Sequence, residues 1–144
     1  MITVDIPGDP FGKQRPKVTM RGDKCHAYTP EKTVDYENFV KYCFVQQMKE
    51  CSASIFDCAI SVVITAFYGI PEYFSGKKKK QAERGEIFPT VKPDVDNIAK
   101  IICDALNKIA FWDDKQITHL LVRKRYTADA PHVLISIEEM PKGS

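Results

Sequence analysis

The stretch Asp94–Asp114, DVDNIAKIICDALNKIAFWDD, constrains this chain more than any other. Turned through about 100° per residue from Asp96, the side chains of Ile98, Ile101, Ile102, Ala105 and Ile109 fall in an arc of about 140° to 240°, whereas Asp96, Lys100, Asp104 and Asn107 fall at about 0° to 80°. One face must be buried against a core, and the opposite face carries charge. A helix over roughly Asn97 to Ala110 is expected, opened by Pro93 and the Asp96-Asn97 pair and closed by Trp112-Asp113-Asp114.

The other segments supply the partners for that apolar stripe. Ile2, Val4 and Ile6 alternate with polar residues up to Pro7-Gly8, the period of a half-buried strand. Residues Asp9 to Pro30 are rich in Gly, Pro and basic side chains and read as a long loop or hairpin with extended pieces at Lys17 to Met20 and His26 to Thr29. Thr29 as N-cap and Pro30 in the first helical position begin a helix over Pro30 to Glu50. Ile55 to Tyr68 is β-branched, aromatic and nearly continuous, as a central strand requires. Glu72 to Thr90 reads as a mobile polar loop with a short helix after Ser75. Gln116 to Tyr126 and His132 to Glu138 read as strands joined by a turn at Ala128 to Pro131. This order predicts one α+β domain over residues 1–144, with a small mixed sheet, helices packed on it and a C-terminal antiparallel hairpin.

Composition narrows the class. The 144 residues are 44% hydrophobic and 28% charged, which is enough apolar matter for a real core and excludes a disordered chain. No run reaches the ~18 apolar residues of a spanning helix, and MITVDIPGDP has no basic stretch followed by an apolar one. Cys25, Cys43, Cys51, Cys58 and Cys103 are odd in number and contain no CxxC pair, so a soluble protein of a reducing cytoplasm is expected. The net charge of +2 hides a segregation. Lys13, Arg15, Lys17, Arg21 and Lys24 stand against Asp23 alone, and Lys77, Lys78, Lys79, Lys80 and Arg84 against Glu83 alone. Between Asp94 and Asp114 five aspartates oppose Lys100 and Lys108. Solvated loops and a salt-bridged helix would give such a pattern. So would a protein that grips a polyanion and processes it with carboxylate-held metal.

Asp94 and Asp96, two apart in an extended approach to the helix, would face one ion, and carboxylates with phosphate and water suit Mg²⁺. The histidines His26, His119 and His132 lack ligand spacing. Asp96, Lys100, Asp104 and Lys108 form an i, i+4 series of alternating sign, which is either a surface ion-pair ladder or a placement of Lys100 beside a scissile phosphate. Trp112 is expected to anchor the following turn in the core, His119 to be packed or paired, and Tyr28, Tyr68, Tyr73 and Phe74 to pack at the core or its rim. No phosphate loop of the GxxxxGK[ST] kind is present, which argues against small phosphate substrates.

The blocks Lys92-Pro93-Asp94-Val95-Asp96-Asn97-Ile98, Lys100, Asp104-Ala105-Leu106-Asn107 and Trp112-Asp113-Asp114-Lys115-Gln116-Ile117 resemble the signature of RusA-type Holliday junction resolvases, particularly their phage and prophage branch. IPGDPFGKQRPK and YTPEKTVDYE are similar to the N-terminal half of that branch. The resemblance implies a homodimeric, Mg²⁺-dependent endonuclease, with Mn²⁺ able to substitute, that resolves four-way DNA junctions by paired symmetric nicks. It implies an acidic triad at Asp94, Asp96 and Asp114 that holds metal, an active-site lysine at Lys100, and supporting acids at Asp104 and Asp113. Lys13, Arg15, Lys17, Lys77, Lys78, Lys79 and Lys80 would neutralise DNA phosphates. The competing reading is a non-catalytic protein that binds branched DNA, its acidic cluster only structural.

A helix from Asn97 to Ala110 is roughly 20 Å long and separates Asp96 from Asp114. Two arrangements answer this. In one, a two-fold dimer brings Asp114 of one subunit to Asp94 and Asp96 of the other. In the other, the chain reverses after Trp112 and returns Asp114 to its own subunit.

Overall fold

The apolar alternation of the first strand finds its partner at the other end of the chain. In the computed structural model, which describes residues 1–142, β1 (Ile2–Pro7) pairs antiparallel with β6 (His132–Glu139), Val4 opposite Ile135. Gly143 and Ser144, the end of the expected 1–144 domain, lie outside the described residues. Between these strands the chain forms β2 (Lys17–Arg21), β3 (Lys24–Tyr28), α1 (Glu31–Glu50), β4 (Ile60–Gly69), α2 (Gly76–Glu83), α3 (Val95–Leu106) and β5 (Ile117–Thr127). The main sheet is mixed, in the order β1-β6-β4-β5, while β2 and β3 form a separate two-stranded ribbon.

The architecture is the expected α+β one, with β4 in the interior of the sheet. Its inward residues Ile60, Val62, Ile64, Ala66 and Tyr68 join Ile2, Val4 and Ile6 of β1 and Val133, Ile135 and Ile137 of β6 in one apolar cluster. Val40 and Phe44 of α1 and Ile98, Ile101, Ile102, Ala105 and Leu106 of α3 close over it. Apolar surface removed from water on this scale is the main stabilising term. The amphipathic arc read from the sequence is the buried face of α3.

Three local expectations change. β5 and β6 are consecutive and antiparallel, but β4 lies between them, parallel to β5 and antiparallel to β6. The connection at 128–131 passes over the end of β4, where a Cβ on Gly69 would come to 3.5 Å from Pro131 Cγ. The apolar length of β4 requires neighbours on both edges, and the two C-terminal strands supply them. In α1, Pro30 rather than Thr29 occupies the N-cap, its carbonyl accepting from the amides of Thr33 and Val34. Finally, α3 starts at Val95 and ends at Leu106, two residues earlier and four earlier than expected. Lys108 adopts φ +68°, and its amide donates to Phe111 O at 2.6 Å, so the chain leaves the helix through a tight turn.

Candidate active site

The early start of α3 changes the setting of its first acids. Asp94 is the N-cap residue in an extended conformation, and Asp96 lies within the first helical turn, not in an extended approach beside Asp94. An aspartate at an N-cap ordinarily spends its carboxylate on the helix amides. Asp94 makes no such bond, since only its backbone carbonyl accepts, from Ile98 N at 3.0 Å. Both side chains are exposed, and among the described residues neither enters an ion pair. Two carboxylates therefore stand free at the positive end of a helix dipole, where negative charge is favoured. The segment before them is pinned to the sheet. Tyr68 Oη donates to Pro93 O at 2.9 Å, and the Lys124 ammonium donates to Val91 O. Burial, with the nearby charge of Asp94, pushes the Tyr68 phenol up to about 12, so it remains a donor at neutral pH.

The basic N-terminal loop lies across this helix start. Phe11 stacks on Tyr36 of α1 with centroids 5.3 Å apart, and the Lys13 amide donates to Asn97 O at 2.9 Å. Only glycine fits at position 12, because a Cβ there would lie 2.7 Å from Pro93 Cβ and 3.0 Å from Asn97 Cβ. Gln14 Oε1 accepts from the buried Thr33 hydroxyl at 3.1 Å. The loop thereby walls two clefts. One, of about 470 Å³, is lined by Gly12, Gln14, Lys92, Asp94 and Asn97; the other, of about 270 Å³, by Gln14, Arg15, Pro16, Asn97 and Lys100.

Lys13 belongs to the scaffold of this site. Its ammonium is bridged between Glu37 of α1 and Asp104 of α3, the latter at 3.3 Å. Burial would lower its pKa, but the two carboxylates outweigh that and hold it above the ordinary 10.5. The ladder of alternating charges does not form: Asp104 is engaged by Lys13, Lys108 lies past the helix end, and no ion pair within the series is found among the described residues. Lys100 is left exposed one turn from Asp96.

The turn after α3 separates the roles of the two remaining aspartates. Asp113 caps a single 3-10 turn, Asp114–Gln116, its carboxylate accepting from Lys115 N at 2.9 Å. That amide holds its carboxyl below the usual aspartate range. Gln116 fastens the turn to the body of the protein. Its Oε1 accepts from the amides of Trp112 and Asp113 at 2.8 and 2.9 Å, and its Nε2 donates to Phe56 O and Cys58 O at 3.0 Å each. Asp114 is left exposed. Trp112 is not the expected core anchor: it is 57% exposed, and Phe111, fully buried, fills that place. The tight turn at Lys108 shifts which of the two aromatics faces inward.

Asp94 thus lines one cleft and Lys100 the other, Asp96 lies in the first turn of α3 and lines neither, and Asp114 occupies a separate turn. Asp114 lies close enough to Cys103 to add to the rise of that thiol to about 11, which burial dominates. Cys103 is about 10 Å along the helix from Asp96 at 1.5 Å per residue. No three His, Cys, Asp or Glu side chains converge among the described residues. Lys77, Lys78, Lys79 and Lys80 lie on α2, capped by Ser75 Oγ, with Lys78 Nζ 4.1 Å from the centroid of Phe74. Arg15 and Lys17 are exposed. Phe74 and Tyr68 are buried, Tyr73 and Tyr28 are exposed, and the exposed His119 meets its neighbour Thr118 at 3.0 Å. Sequence patterning does not single out Gly12, Gln14, Asn97 or Gln116 as shaping the site, because each acts through contacts distant in the chain.

Exposed carboxylates and a lysine near open, basic-walled clefts are groups suited to phosphodiester chemistry. The particular family follows from comparison with known proteins. Residues 7–138 match the family described as Endodeoxyribonuclease RusA. The chain belongs to that family and is an endodeoxyribonuclease of the Holliday junction resolvase class. It is also 33% identical over 141 residues to "Uncharacterized protein YqaN" of Bacillus subtilis (strain 168), a match covering 96% of each chain. No described helix is long and apolar enough to cross a membrane.

Proposed function

We propose that this endodeoxyribonuclease resolves four-way junctions as a homodimer, by paired symmetric nicks, in a Mg²⁺-dependent reaction that Mn²⁺ also supports. One observation carries the reading: the N-cap carboxylate of Asp94 and the first-turn carboxylate of Asp96 are both left free, although a capping bond was available to the first. Two hard oxygen donors that leave room for phosphate and water suit an octahedral cation. Asp94 and Asp96 would hold it, with Asp114 completing the set. When bound, such a cation polarises the phosphate and lowers the pKa of an attacking water. Lys100 places positive charge beside the nonbridging oxygens as charge develops there. Arg15, Lys17 and the α2 lysines Lys77 to Lys80 neutralise the DNA backbone, a contact without sequence readout. Lys13 acts differently, holding the cleft wall to α1 and α3.

Asp94, Asp96 and Asp114 do not converge within one subunit among the described residues, which supports the shared-site arrangement over a site closed within one subunit. In a two-fold dimer each Asp114 serves the other subunit, and two equivalent sites give two equivalent nicks. Exposed Trp112 near Asp114, with Leu120 and Leu121 exposed on opposite faces of the edge strand β5, leaves apolar side chains for a second copy to cover.

The test is cleavage of a labelled four-way junction in Mg²⁺, beside a linear duplex of the same arms, by wild type and Asp96→Asn. Symmetric nicks on the junction, lost in the variant while binding persists, are expected. Tight junction binding by wild type without cleavage in either Mg²⁺ or Mn²⁺ would overturn the mechanism.

A further inference from the structure

The β2–β3 ribbon contributes nothing to the core: every residue of both strands is exposed. An isolated two-stranded ribbon is marginally stable in water, so one kept outside the core calls for a partner. Its register pairs Lys17 with Tyr28, Thr19 with His26 and Arg21 with Lys24, which places these six on one face. Val18, Met20, Cys25 and Ala27 form the reverse. The first face carries three cations and no acid, and Asp23 sits in the turn that Gly22 makes possible with φ +62°. At the tip, Arg21 and Lys24 are directly opposite one another, an arrangement that costs stability unless an anion lies between or across them. Neither is in an ion pair among the described residues.

Position in the fold points to the kind of anion. The ribbon begins at Lys17, immediately after Arg15 and Pro16, which wall the cleft beside Lys100. A nucleic-acid strand lying in that cleft would continue onto the ribbon. At ~3.3 Å per residue the ribbon is about 17 Å long. That matches about five base-pair steps at 3.4 Å each.

We propose that the β2–β3 ribbon is a DNA arm, in which Arg21 and Lys24 at the tip, with Lys17 at the base, hold the phosphate backbone of one junction arm away from the scissile phosphate. This deepens the junction-cleaving reading above and rests on it for the identity of the substrate. Contacts of this kind fix the register and orientation of the duplex without reading its sequence.

The test is the salt dependence of binding to a four-way junction, without divalent metal, for wild type and Arg21→Ala/Lys24→Ala. Loss of two phosphate contacts should reduce the slope of log K against log[salt] by about 1.8, at ~0.9 per contact. A second variant, Val18→Thr/Met20→Thr, alters only the reverse face and should leave both slope and oligomeric state unchanged. All four positions are exposed, so the thermal transition of each variant should match wild type and separate binding from folding. An unchanged slope in the first variant overturns the proposal. Dissociation of the second variant into monomers, with wild-type binding by the first, would instead make the ribbon an arm between subunits. Because slopes need only binding, the arm is judged independently of whether wild type cleaves.

Discussion

Replacing Gln116 with Met removes four hydrogen bonds while nearly preserving side-chain volume. Two of them hold the amides of Trp112 and Asp113, and two hold the carbonyls of Phe56 and Cys58 to the turn that carries Asp114. At about 1 kcal/mol for each bond, less the part water recovers at the partly exposed end, the loss is about 3 kcal/mol. For a chain of this size that corresponds to a fall of roughly 10 °C in Tm. Gln116→Glu retains both acceptor contacts but turns a carboxylate toward two carbonyls, and should be at least as destabilising. Thermal unfolding followed by circular dichroism gives the stability. Junction cleavage measured well below the variant's Tm gives the consequence for Asp114, which should be a loss of at least ten-fold with DNA binding retained. A Gln116→Met protein with wild-type Tm and full activity would refute the assignment of this residue as the fastening of the Asp114 turn.

Mixed dimers of Asp96→Asn and Asp114→Asn should regain single-strand nicking when the site is shared, because one complete site re-forms; a site closed within each subunit predicts none, which a nicking assay on the mixture decides. Gly12→Ala forces Pro93 and Asn97 away from the loop and should cost about 1 to 3 kcal/mol by overpacking, read from urea unfolding, with weaker junction binding. Lys13→Met leaves Glu37 and Asp104 facing one another without their cation. Since the folded pKa of Lys13 is raised, its stabilisation is complete below about pH 10.5 and disappears as pH rises through the folded value. The stability gap between wild type and Lys13→Met should therefore hold at neutral pH and shrink in strongly alkaline buffer.

How far the sequence reaches depends on the range of the interaction concerned. Helical and strand periodicities are local, so the apolar arc of α3, the alternation of β1 and the continuous β4 run name the buried faces without knowledge of their partners. The same locality lets the short block from Lys92 to Ile117 carry a family resemblance, which the match over residues 7–138 bears out. Helix ends were less legible: whether Asp94 or Asp96 occupies the N-cap depends on how Tyr68 and Lys124 pin the segment before it. Trp112 could not be told from Phe111 as the inward aromatic, because the turn at Lys108 sets the phase.

The remaining decisions belong to contacts between distant parts of the chain. Strand order is one, since nothing within β5 or β6 announces that β4 will lie between them. The charge roles are another. Asp104 and Lys13 are spent on each other across 91 positions in sequence, Asp113 is spent on a turn, and among the described residues Asp94, Asp96, Lys100 and Asp114 enter no ion pair. Composition supplies the charges, but only tertiary packing determines which are neutralised internally and which remain exposed.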